Sequence, residues 1–122
     1  MIRKVPLESS FKDDRGIIQN IINGEISHVA IITSKAGSIR SNHYHTTNSH
    51  YIYVMSGKME YWERELDGSN REMILCGPGD MVFSESNKVH KTVFLEDCTI
   101  ITFAAGHRGP EYDADDTVHV EF

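Results

Sequence analysis

The chain has 122 residues, 39 % of them apolar and 25 % charged, with 18 acidic against 12 basic side chains and a net charge of −6. That length suits one domain, read over residues 1–122, which buries roughly two-thirds of its unfolded surface; the composition excludes disordered, collagen-like and coiled-coil classes. No apolar run reaches the ~18 residues of a membrane span, and the acidic balance argues against nucleic-acid or anionic-membrane partners.

Arg3 and Lys4 are followed by no apolar segment of the kind a secretory signal carries, so a cytoplasmic protein is expected. Short β-rich runs then fill the chain, and no stretch keeps a 3.6-residue period with caps. The predicted strands are 16–22, 26–34, 38–45, 50–55, 58–66, 71–75, 81–83, 89–95, 99–104 and 118–121, broken by turn residues such as Asn23-Gly24, Ser56-Gly57 and Asp67-Gly68. Short strands at this spacing point to an all-β sandwich or barrel. The runs 17–22 and 26–32 are rich in isoleucine; left exposed they are a pairing hazard, which predicts a homodimer through them. Trp62, Phe83, Val93, Phe94, Ile100 and Phe103 are the expected core, with Trp62 alternatively beside a ligand. Cys76 and Cys98 are expected as free thiols in a reducing compartment. Glu111, Asp113, Asp115 and Asp116 lack the EF-hand spacing and read as a solvated face.

Seven histidines are present, three of them between positions 43 and 50. His43 and His45 stand two apart on a predicted strand, so both point to one face, ~6.6 Å apart at Cα. Two imidazoles so placed can converge on one ion at metal–nitrogen distances of ~2.0–2.1 Å. His50 opens the next strand and His90 a later one, and either can return to the same ion. His28, His107 and His119 read as ordinary core or surface residues. Imidazoles suit several transition metals, so residue type does not choose among Zn, Fe, Ni, Cu and Mn.

The spacing from Gly37 through His43-Tyr44-His45 and His50 to Gly57 resembles the first motif of the cupin superfamily, with His50 where that family has glutamate. Gly79, then Glu85-Ser86-Asn87, His90 and Phe94, matches the spacing of the second motif; Glu85, Asn87 and Phe94 replace its Pro, Gly and Asn. The resemblance implies an all-β double-stranded β-helix, the RmlC-like jelly roll. It also implies one divalent transition metal (Zn, Fe, Ni or Mn) held by His43, His45, His50 and His90. Four neutral imidazoles leave the full charge on the ion and raise its Lewis acidity.

Asp13-Asp14-Arg15-Gly16 looks like the DxRG segment of nucleotide-sugar cupins, the keto-deoxyhexose epimerases and ketoisomerases. Ile39-Arg40-Ser41-Asn42-His43-Tyr44-His45-Thr46-Thr47-Asn48 looks like a stretch in the C-terminal cupin domain of capsule-sugar synthesis enzymes, with Ser41 in place of its Gly. Gly106 to Pro110 and Tyr112-Asp113 are similar to the late part of such proteins. The chemistry so implied is proton removal beside a keto group polarised by the ion, and its return to the other face or carbon. The acid/base candidates are Tyr44, Tyr51, Tyr53, Glu60 and Glu85. Strand alternation sets the three tyrosines on the face away from the histidines. Arg15 and Arg40 are the candidates for holding a diphosphate, which a planar guanidinium fork suits. An isomerase or epimerase of a nucleotide-linked keto sugar predicts solvent proton exchange. A metal-dependent dioxygenase predicts oxygen consumption. A non-catalytic small-molecule-binding module predicts binding without turnover.

Overall fold

A computed structural model of the chain describes residues 2–7, 10–45, 49–104 and 117–122, and the side chains of all of these but His45 and Thr117. His107 and the acidic residues between 111 and 116 lie outside the described residues. The described residues form eleven strands and no helix: β1 (Ser10–Asp13), β2 (Gly16–Gln19), β3 (His28–Ser34), β4 (Ile39–His45), β5 (His50–Ser56), β6 (Met59–Arg64), β7 (Glu72–Cys76), β8 (Met81–Ser84), β9 (Val89–Phe94), β10 (Cys98–Ala104) and β11 (Thr117–His119). Two antiparallel sheets, β3-β10-β5-β8 and β11-β4-β9-β6-β7, make the body, and β1-β2 is a separate hairpin. Neighbouring strands come from distant segments, which is the crossover pattern of the expected jelly roll. No helix of the described residues is long and apolar enough to cross a membrane.

Alternate residues of both sheets meet in one core: Ile52, Val54, Val82, Cys98 and Ile100 from the four-stranded sheet, Met59, Tyr61, Cys76 and Phe94 from the five-stranded one. Of the six residues expected there, Phe94 and Ile100 are buried at 1 % and 5 % exposure. Trp62, Phe83, Val93 and Phe103 are not; each has the opposite strand parity to a core neighbour and faces outward. Trp62 lies on the outside of β6, where its Nε1 donates to Glu60 Oε1 (3.1 Å) and Lys91 Nζ stands 5.1 Å from its ring centre. Cys76 and Cys98 are free and buried, and burial pushes the Cys76 thiol up to about 11.

The N-terminal half departs from expectation. Residues 10–13 form a strand that pairs back on 16–19, with Phe11 opposite Ile18. The reversal is set by Asp13, whose carboxylate accepts from the backbone N–H of Arg15 (2.9 Å) and from its guanidinium. Residues 20–27 carry no strand, so Asn23-Gly24 is not a hairpin turn but part of a crossing from one sheet to another. Phe11, Ile17 and Ile18 are exposed on the hairpin, as are Val29 and Ile31 on the edge strand β3.

Candidate functional site

Register brings the polar side chains together. Directly opposed residues of antiparallel strands share a face. Across the five-stranded sheet one rung runs His119, His43, His90, Glu63, Glu72. Across the other sheet a second rung runs His28, Ala104, His50, Ser84. Both rungs lie on the inner faces at one end of the core, since His90 and His50 are 2 % and 6 % exposed. Ala104 matters as the small residue between two histidines. Below the rungs the buried polar residues are Thr92 and Thr102, set among apolar neighbours, and beyond them Ser34 at the far end of β3, so polarity is greatest toward the histidines.

The rings stand close. His43 and His90 have centres 4.7 Å apart, His43 and His119 5.8 Å, and His50 and His90 6.1 Å, all edge to face. His43 is aimed by a β-bulge: the register with β9 shifts between Ser41 and His43, and Ser41 and Asn42 take φ of 80° and 52°. A hydrogen-bonded chain runs behind His90. Tyr61 Oη lies 3.1 Å from Glu63 Oε2 and 3.0 Å from Ser84 Oγ. An ionised carboxylate can only accept, so the phenolic proton goes to Glu63 and the Ser84 hydroxyl donates to Tyr61. Ser84 Oγ and the Lys88 carbonyl lie 3.5 Å from His90 Nδ1, long contacts that favour the Nδ1–H tautomer. The Tyr61 ring stacks on His90 at 6.1 Å. Burial pushes the Glu63 carboxyl up, against the Tyr61 hydrogen bond and the Lys88 charge, which lower it.

Among the described residues no three His, Cys, Asp or Glu side chains are gathered, as they stand, in a set able to hold a metal ion. The His45 backbone lies in β4 opposite Thr117, and its side chain is outside the description. The donor chemistry nevertheless fits a transition ion: imidazoles from four strands face one another at the polar end of the core between the two sheets.

The remaining candidates lie elsewhere. Glu60 sits on the outer face of β6 bonded to Trp62, while Glu63, three residues on, is the carboxylate at the rung. Glu85 is exposed in the turn after β8 and shares with Glu63 and Lys88 a polar recess of about 280 Å³. Tyr51 and Tyr53 alternate with the buried His50 and Ile52 and face outward, and Tyr44 pairs with Val118 between the two histidine positions. Arg15 is spent on Asp13 in the hairpin turn. Arg40, three residues before His43 on β4, ties the sheets together, donating to Ser34 Oγ (2.7 Å) and the Thr33 carbonyl (3.0 Å) beside an open recess of about 630 Å³. A recess of about 410 Å³ on the outside of the four-stranded sheet likewise holds no histidine.

A family model for the cupin domain matches residues 30–104, more than half of the sequence. The chain belongs to the cupin family. The DNA damage-repair/toleration protein DRT102 of Arabidopsis thaliana is 32 % identical over 78 residues, which are 64 % of this chain and 24 % of that protein. The capsular polysaccharide assembling protein CapF of Staphylococcus aureus superposes with a TM-score of 0.73 at 24 % identity, over 96 % of this chain and 35 % of that one. The sugar 3,4-ketoisomerase QdtA of Thermoanaerobacterium thermosaccharolyticum, solved with TDP, gives 0.78 at 14 % identity over 96 % and 86 %. The cupin thus spans about a quarter of its plant relative and a third of CapF.

The motif positions acquire physical reasons. Gly37, Gly57 and Gly79 take φ of 86°, 86° and 87°. At Gly57 a Cβ would also stand 2.3 Å from the Asp97 carbonyl oxygen. Asn87, at a motif glycine position, takes φ of 60°, a conformation asparagine tolerates. Two residues at this end escaped sequence reasoning. Glu63 has the parity of the inward Tyr61 on β6, a signal the sequence carries. His119 had no local signal, because its position depends on β11 pairing with β4.

Proposed function

We propose that this cupin holds one divalent transition ion between its rungs and acts on a nucleotide-linked keto sugar as an isomerase or epimerase. The observation that supports it most is the pair of facing rungs, with His43, His50 and His90 at the end of the core where polarity is highest. His45 would be the fourth ligand. Two of the structures that share the fold are a capsular polysaccharide assembling protein and a sugar ketoisomerase with bound TDP. When bound, such an ion polarises a carbonyl oxygen and makes the neighbouring C–H more acidic. The chain's own contribution is positional. The Glu63–Tyr61–Ser84 chain holds His90 as the Nδ1–H tautomer, and the apolar core beneath excludes water from the inner side of the rung. Glu63 and Glu85, which share the polar recess, are the carboxylates we assign to proton exchange.

Metal analysis of protein purified without added metal, repeated on His45→Ala and His90→Ala, tests the site: one equivalent in the parent and loss in both variants is expected. Incubation with TDP-4-keto-6-deoxyglucose in deuterated water tests the chemistry: deuterium enters the sugar beside the keto carbon. Oxygen consumption without exchange would make it a dioxygenase, and saturable binding with neither would make it a binding module. The free thiols suit the cytoplasm, a reducing compartment. The exposed Phe11, Ile17, Ile18 and Ile31 fit a homodimer through the hairpin and β3. Light scattering should give twice the chain mass, falling to one with Ile17→Glu and Ile31→Glu together; a monomeric parent removes the dimer.

A further inference from the structure

The rung holds a histidine that neither cupin motif contains. His119 lies on β11, outside the matched residues 30–104, directly opposite His43. Its ring is exposed and stands 5.8 Å from that of His43, on the opposite side from the buried His90.

Ring spacing decides what such a neighbour can do. A ring nitrogen ~2.0–2.1 Å from an ion places the ring centre about 3.2 Å away, so rings sharing one ion have centres about 4.5 Å apart at a right angle and about 6.4 Å apart when opposed. The three neighbouring separations, 4.7, 5.8 and 6.1 Å for His90–His43, His43–His119 and His50–His90, fall in that interval, and His119 joins the others on one ion by swinging across His43 toward His90 and His50.

The backbone of β11 is anchored independently of any ion. Val120 N donates to the Asn42 carbonyl (3.0 Å). Arg64 donates to the Glu121 carbonyl (2.8 Å) and Arg71 to that of Phe122 (2.6 Å). The Phe122 ring lies under Arg71 and Lys91 and against Trp62. One end of the strand is therefore clamped, and the three pairs Thr117↔His45, Val118↔Tyr44 and His119↔His43 zip it to the strand that carries two expected ligands.

We infer that His119 is itself a ligand of the ion, so that metal binding staples the C-terminal strand to β4 and closes the site from outside the cupin motifs. The inference rests on the metal reading above. It makes the ion a cross-link between segments about 75 residues apart, of the kind that adds binding free energy to folding.

Zinc affinity by chelator competition, the visible spectrum of the cobalt form, and amide exchange over residues 117–120 test it on the full chain, comparing parent, His119→Gln and His28→Gln. His119 is exposed, so the variant should match the parent's chelator-treated melting temperature, which controls for folding. Expected are a zinc affinity lowered about tenfold or more in His119→Gln alone, a changed cobalt band, and metal-induced protection of 117–120 that the variant loses. Parent-like affinity, spectrum and protection in His119→Gln would overturn the ligand role while leaving the metal site standing. A parent that binds neither ion stoichiometrically would overturn both.

Discussion

Replacing Tyr61 by phenylalanine isolates the chain behind His90. The ring is fully buried, so phenylalanine keeps its packing and its stack on His90 and removes one oxygen. Two hydrogen bonds go with it: the charged one to Glu63 at 3.1 Å and the neutral one from Ser84 at 3.0 Å. A bond to a charged group is worth ~1.5–3 kcal/mol and a neutral one ~0.5–1.5 kcal/mol. Glu63 is half-buried and keeps partial hydration, so the net loss should be about 2 kcal/mol. At ~2.1 cal/mol/K per residue, unfolding 122 residues carries about 0.26 kcal/mol/K, so the melting temperature should fall about 8 °C. Calorimetry in EDTA measures this without any ion. If the three groups form one chain, Ser84→Ala in the Tyr61→Phe background should cost about 1 kcal/mol less than in the parent. A Tyr61→Phe protein within about 0.5 kcal/mol of the parent, or strictly additive with Ser84→Ala, would refute the chain.

Glu63→Gln keeps an acceptor for Tyr61 but abolishes the titration. Burial raises the Glu63 carboxyl above its ordinary value of 4.5 in the folded state, so the native protein holds that proton more tightly than the unfolded chain does. Its stability contribution is then largest at low pH and is lost as pH rises through the raised value; in EDTA, the variant's melting temperature should fall less between pH 4 and 8, and superimposable profiles would contradict this. Ser41→Gly relieves a left-handed residue at φ 80° and should stabilise by about 1 kcal/mol, about 4 °C for a chain of this size; urea titration reads it. Gly57→Ala forces a methyl group to 2.3 Å from the Asp97 carbonyl oxygen at a left-handed φ and should cost about 3 kcal/mol or more, visible as loss of soluble protein or a much lowered midpoint.

Much of the architecture is local and was readable. Turn residues, alternation and the paired motif spacings give an all-β fold and assign strands to the motif histidines. Four of the six expected core residues lie outside it for a reason the residues themselves contain. Val93 with Phe94, and Ile100 with Phe103, are pairs of opposite parity, so neither pair can lie wholly inside one strand's inner face. Parity, not size, sorts the aromatics: the strands place Tyr61 and Phe94 inward and leave Trp62, Phe83 and Phe103 outside. With Tyr61 inside, the same parity puts Glu63 on the inner face of β6 and Glu60 on the outer one.

What the sequence withholds is pairing between distant segments. His43, His90 and Glu63 share a rung only because β4, β9 and β6 are neighbours, although 20 and 27 residues separate Glu63 from His43 and His90. The motif departures show the same division. Asn87 satisfies the left-handed φ of 60° that a glycine position demands, so the turn that delivers His90 is preserved by backbone conformation rather than by residue identity. Ser41 meets a left-handed position with a residue poorly suited to it, and the bulge persists because β4 is paired on both sides, with β9 and with β11. The strand that carries His119 therefore also helps hold the bend that aims His43, so loss of β11 pairing should disturb both histidines together.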